Sequence, residues 1–191
     1  MSRVDEILNF WFGSSDEPGY GKPRAVWFTK DGEFDEKVRS QFLSDYNLAA
    51  SGQLDRWQNL PLSCLALIIL LDQFPRNMFR GNPKAFATDS QALTCAQHAV
   101  AQKFDSQLIP VQRCFIYLPF EHSENLEHQQ QAVALFEQLR HYPDTASDID
   151  YAYQHLEIIQ RFGRFPHRNQ ILGRETTPEE AAFLKQPGSS F

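Results

Sequence analysis

Leu62-Ser63-Cys64-Leu65-Ala66-Leu67-Ile68-Ile69-Leu70-Leu71-Asp72-Gln73-Phe74 decides the fold. Apolar residues stand on nearly every face of this stretch, and a helix apolar all round belongs in the middle of a domain. Periodicity alone also admits a buried strand over residues 65–71. Length favours helix, because the apolar stretch reaches well past a usual strand of about 5–6 residues. Pro61 stands where a first helical residue is expected. The uninterrupted apolar run would cover about 10 Å as a helix, and a bilayer needs roughly 20 such residues, so no membrane span is expected.

Helical spacing continues on both sides. Val4, Ile7, Leu8, Trp11 and Phe12 recur at helical intervals before Gly13, a natural stop. Residues 13–31 read as a loop pinned to the core by Trp27 and Phe28. Asp31 is placed to cap a helix that carries Phe34, Val38, Phe42 and Tyr46 and ends near Gly52. Thr88 with Gln91 gives a capping-box signal before an Ala-rich helix. Pro110 opens a further run that should stop near Pro119, and Ser123 is placed to cap the next helix, broken by Pro143. Ile149, Tyr153, Leu156 and Ile159 mark another helix ending near Gly163. Thr177, Pro178, Glu179 and Glu180 combine an N-cap, an N1 proline and first-turn acid. No segment alternates with period two, so the expectation is an all-α chain. It should form a single domain over residues 1–191, a helical bundle or helix-pair array of about seven to nine helices.

Composition narrows function by exclusion. The 191 residues are 42% hydrophobic and 22% charged, with a net charge of −6. That charge disfavours indiscriminate binding to nucleic acid or anionic membrane. Cys64, Cys95 and Cys114 lie among apolar neighbours without CxxC spacing, the pattern of buried free thiols in a reducing compartment. No basic-then-apolar leader opens the chain, so a cytoplasmic location is expected. Walker A, GxGxxG, GxSxG and paired-cysteine zinc motifs are absent.

Two segments echo each other. Asp72-Gln73-Phe74-Pro75-Arg76-Asn77-Met78-Phe79-Arg80 and Arg161-Phe162-Gly163-Arg164-Phe165-Pro166-His167-Arg168-Asn169 each hold Phe-Pro, then Arg-Asn, with further arginine nearby. Each follows an apolar helical stretch, so each should be a helix end turning sharply at its proline. Asp72 and Arg76 stand at i and i+4, the spacing of an ion pair. Residues 161–174 hold Arg161, Arg164, Arg168 and Arg174 and no acid. Such a cluster either braces helix ends through carboxylates, carbonyls and aromatic rings, or receives an anion with bidentate geometry. In the second case Asp72, Arg76, Asn77, Arg80, Arg161, Arg164, Arg168 and Asn169 form the ligand-binding set.

Glu121-His122-Ser123-Glu124 supplies candidate proton-transfer groups. His122 and Glu124 could couple as acid and base at the start of a helix, whose dipole would depress the imidazole pKa. His167 is the other candidate proton carrier. His155 faces an apolar side and reads as a core histidine. Glu124 and His128 could share a metal, but a solvated helix face explains them more simply, and neither metal nor other cofactor is expected.

Taken together, Leu8-Asn9-Phe10-Trp11-Phe12-Gly13, Trp27-Phe28 with Lys30, residues 65–77, Tyr117-Leu118-Pro119-Phe120-Glu121-His122-Ser123-Glu124 and residues 161–169 resemble the bacterial "domain of unknown function 924" family, from about residue 4 to Leu184. The resemblance implies an all-helical fold of tetratricopeptide-like type and carries over no catalytic residues. The residues themselves suggest a site that binds or transforms a small anionic metabolite. A helical module that docks a protein or peptide is the alternative. A local RNA contact through residues 161–174 ranks third, because the net charge is acidic.

Overall fold

The computed structural model describes residues 1–189. Its α-helices are α1 (Arg3–Phe12), α2 (Gly32–Ala50), α3 (Pro61–Ile68), α4 (Phe74–Met78), α5 (Asp89–Ala101), α6 (Pro110–Glu121), α7 (Leu126–Glu137), α8 (Ala146–Phe162) and α9 (Pro178–Phe183). There is no strand among the described residues. Neighbouring helices pack in sequence order from α5 to α8, and α3 lies against α1, α5 and α6. Every residue from Cys64 to Leu71 is at most 2% exposed, so the apolar run is the central helix that its composition demands.

A π-helical segment, Ile69–Gln73, joins α3 to α4 without a break, so the helix expected to end and turn at Pro75 runs on to Met78 instead. The cause of the π segment is Pro75. Proline has no N–H, so the carbonyl of Leu71 loses its α-helical donor. Thr88 Oγ1 donates to that carbonyl at 2.6 Å, and the Phe74 N–H bonds Ile69 O five residues back. The widened turn carries Asp72 and Gln73 into the interior, both buried. Single π turns within α-helices recur at functional sites.

This use of Thr88 corrects one expectation. Thr88 is at the N-cap position of α5, but its side chain makes no capping bond there. Thr88→Val should leave the buried Leu71 carbonyl unpaired and cost about 1–3 kcal/mol, whereas Thr88→Ser should be nearly neutral. Urea denaturation of the two variants checks this, and equal losses would refute the role.

Other boundaries follow the sequence signals. Asp31 caps α2 by accepting from the Glu33 and Phe34 N–H groups. Pro61 and Pro110 are N1 residues, and Gly163 takes the left-handed conformation after α8 (φ 67°). Thr177 and Glu180 form the expected capping box of α9. Three expectations need correction. Phe28 is 68% exposed, so Trp27 alone of that pair is buried. Helix α6 continues through Pro119 to Glu121, although Pro119 has no N–H to give the Phe115 carbonyl. Asn125, not Ser123, caps α7, accepting from the Glu127 and His128 N–H groups.

The main core runs from α1 to α8 and is densely aromatic. Trp11 stacks near Trp27 (centroids 6.1 Å apart) and meets Phe74 and Phe115 edge-on (5.5 and 5.6 Å). A smaller cluster of Ile158, Ile159 and Phe165, with Phe162 and Phe183, fastens α9 to α8. The three cysteines are buried and free. No helix of the described residues is long and apolar enough to cross a membrane.

Candidate functional site

The π segment places the Asp72 carboxylate at a fully buried point beside the end of α6. His122 is the residue that ends α6, and its Nδ1 lies 2.7 Å from Asp72 Oδ1. A carboxylate only accepts, so Nδ1 carries the proton and Nε2 keeps a free lone pair. Gln73 Nε2 donates to the other Asp72 oxygen. Nε2 of His122 has no hydrogen-bond partner among the described residues, and the ring is 14% exposed.

Two guanidinium groups converge beside this pair. Arg76 Nη1 donates to the Asp72 carbonyl at 2.6 Å and lies 3.5 Å from Asp72 Oδ1. It also grips Asp89 in a fork, at 3.0 and 3.2 Å. Arg168, from the 3-10 turn Pro166–Arg168, donates to the His122 carbonyl at 3.0 Å and lies 3.7 Å from Asp89 Oδ2. Its guanidinium is stacked on the Phe165 and Phe86 rings, 4.5 and 4.9 Å from their centroids. Arg168 Nε is buried without a hydrogen-bond partner among the described residues.

These contacts set the charge states. Burial would raise Asp72, but Arg76 and His122 outweigh it and bring the carboxyl down to about 2. Burial lowers the His122 pKa, Arg76 lowers it further, and Asp72 only partly restores it. His122 sits at the C-terminus of α6, not at the start of α7, so the helix end is not what depresses it; that expectation is corrected. Burial, reinforced by Arg168, takes His167 down to about 4, with its ring tilted on Phe165. Burial takes Arg168 down to about 10, and Arg76 adds to the effect.

The predicted residues divide between this centre and its frame. Glu124 does not partner His122. It accepts from Arg174 in a fork (2.6 and 3.0 Å) and from the Phe165 N–H (2.7 Å). Arg80 forks onto Asp35 (2.7 and 2.9 Å), and Asn77 donates to the same carboxylate at 2.8 Å. Arg164 forks onto Glu180 (2.6 and 2.9 Å), and Asn169 donates to it at 3.1 Å. Arg161 pairs with Glu179 at 2.9 Å.

A common plan explains the echo in the sequence. In each segment one arginine after Phe-Pro, Arg76 or Arg168, faces the centre. The asparagine that follows it, with a second arginine, holds a carboxylate in the first turn of a neighbouring helix, Asp35 of α2 or Glu180 of α9. The first-turn acid therefore stabilises its own helix and ties down the Phe-Pro segment.

Sequence reading missed Asp89 and Phe86. Asp89 reads as ordinary first-turn acid, and only the packing of α5 against the π segment brings it to Arg76. It also missed the neighbouring buried pair of Glu121 and His155, with Glu121 Oε1 3.3 Å from His155 Nδ1. Burial pushes the Glu121 carboxyl well above the usual range, and Asp148 and Asp72 add to this. His128 bonds Ser123 Oγ at 2.9 Å, and the described residues hold no group of three potential metal ligands.

The chain was compared with known proteins. A family model described as "bacterial protein of unknown function (DUF924)" matches residues 7–188. A solved structure of a protein of unknown function from Agrobacterium tumefaciens is 40% identical and superposes with a TM-score of 0.85. The likeness covers 95% of this chain and 96% of that one. No curated protein matches.

Proposed function

We propose that this chain, which belongs to the bacterial DUF924 family, carries an acid–base site for a small anionic metabolite. His122 is the proton-transferring group, Asp72 orients it, and Arg168 and Arg76 lie beside the pair, each already matched by a carboxylate. The observation that carries this reading is the 2.7 Å contact between a fully buried carboxylate and an imidazole that is 14% exposed. A carboxylate on Nδ1 fixes the tautomer and leaves the Nε2 lone pair unprotonated, which is how a general base is prepared. Arg168 supports it as a buried cation whose nearest carboxylate is 3.7 Å away and shared with Arg76. The four arginines of residues 161–174 each lie within 4 Å of a carboxylate, which leaves little for an RNA backbone.

Thermal-shift screening against carboxylated and phosphorylated metabolites tests the proposal, with His122→Gln in parallel. A ligand at about 100 times its Kd adds roughly 2.7 kcal/mol, which for a chain of this size raises Tm by about 5–10 °C. The shift should vanish or fall steeply in His122→Gln. A ligand that shifts both proteins equally, or a well-folded protein that responds to nothing in the panel, would refute the site.

A further inference from the structure

We propose that the His122 site takes up its anion together with one proton, so that its ligands are monoanions, carboxylates above all, bound as ion pairs to an imidazolium. This rests on the acid–base site proposed above and names its ligand class.

The argument is a charge count around His122. The π segment contributes Asp72, α4 contributes Arg76, and the first turn of α5 contributes Asp89. The segment after α6 contributes Glu124, the 3-10 turn Pro166–Arg168 contributes Arg168, and Arg174 follows. Three arginines thus face three carboxylates, and each arginine is already within 4 Å of one of them. From the interior side, α6 presents Glu121 and Cys114, and α8 presents Asp148 and His155. None of these four adds positive charge: burial keeps the two acids and the thiol high, and it keeps His155 neutral. His167, beside Arg168, is neutral for the same reason.

The layer therefore has no surplus cation with which to meet an anion. An anion seated there brings uncompensated charge into a largely buried place, which is costly unless a proton accompanies it. The Nε2 lone pair of His122 is the group placed to take that proton. Nδ1 is held by Asp72, a carboxylate that stabilises the imidazolium once it forms, and Nε2 has no hydrogen-bond partner among the described residues. The step is balanced: one solvent proton bonds to Nε2, the new N–H donates to the bound oxygen, and the anion stays intact. Arg168 is bonded to the His122 carbonyl, so cation and imidazole keep a fixed spacing. One proton balances one charge, so a carboxylate is matched and a phosphate dianion is not.

The sign follows from linkage. Free His122 is neutral at pH 7, and a bound anion raises its pKa. Carboxylate affinity should therefore weaken by about tenfold per pH unit across the interval between the free and bound pKa values. The test uses acetate and benzoate as probes, with inorganic phosphate beside them, from pH 6 to 8.5. Calorimetry in two buffers of different ionisation enthalpy counts protons, and imidazole NMR follows His122. The expected result is about one proton taken up per carboxylate, a raised His122 pKa, and phosphate binding only as its monoanion at the acid end. His122→Gln should remove the proton uptake, and His128→Gln should leave it unchanged. Binding with no proton uptake and no pH slope overturns this inference but leaves the acid–base site standing. Binding of none of the three probes at any pH overturns the ligand class. Tighter binding of phosphate at pH 8 than at pH 6 overturns it as well.

Discussion

Trp11→Ala should be the most destabilising single truncation in the core, lowering unfolding free energy by about 3–5 kcal/mol. Trp11 is fully buried and touches the rings of Trp27, Phe74 and Phe115, so its removal opens a cavity that rigid aromatic neighbours cannot refill. At about 2–4 °C per kcal/mol for a chain of this length, Tm should fall by roughly 10–15 °C. Trp11→Phe should cost much less. Trp11 Nε1 is buried without a hydrogen-bond partner among the described residues, so the smaller ring gives up no hydrogen bond there. Urea denaturation provides the check. A loss below about 1 kcal/mol for the alanine variant would mean that α1 and the 3-10 turn Ala25–Trp27 are not anchored through this ring.

Asp72→Asn should cost about 3–5 kcal/mol, the range for removing one partner from a buried ion pair. The amide keeps the shape of the side chain but withdraws the charge facing Arg76 and His122. Asp72 holds a pKa near 2 against an ordinary value of 3.8. Its contribution is complete above the ordinary value and is lost as pH falls through about 2, so that acid limb should disappear in the variant. His122 should titrate at still lower pH, because Asp72 is a group that raises it. Stability curves between pH 2 and 7, with histidine NMR, measure both effects. A variant with wild-type stability and an unchanged His122 titration would remove Asp72 from its role as the orienting carboxylate.

The two substitutions sample different kinds of information. Trp11 belongs to a helical stripe that the sequence displays openly, and its burial follows from hydrophobic spacing. Asp72 is one polar residue at the end of an apolar run. Its nearest sequence cue is Arg76 at i+4, and that cue fits an exposed helical pair just as well. Asp72 becomes a buried orienting group because Pro75 forces a π turn and because α6 ends against that turn.

The proton-transfer candidates show the same limit. His122 and Glu124 are neighbours in sequence and face different partners in space, Asp72 and Arg174. The ends of α6 and α7 lie within ±2 residues of where Pro119 and Ser123 suggest, and that small shift places His122 at a helix C-terminus. A dipole argument made from the sequence alone acquires the wrong sign.

Local chemistry was enough to determine the helical class, the central position of residues 62–74, most caps and the turn at Phe165-Pro166. Each depends on residues within a few positions of one another, where spacing and side-chain type fix the backbone. Tertiary structure alone decided which arginine faces the centre and which braces a helix. Arg76 and Arg80 are four residues apart and chemically identical, yet one meets Asp89 and the other Asp35. A guanidinium accepts any carboxylate within reach, and which carboxylate is in reach depends on how distant helices pack.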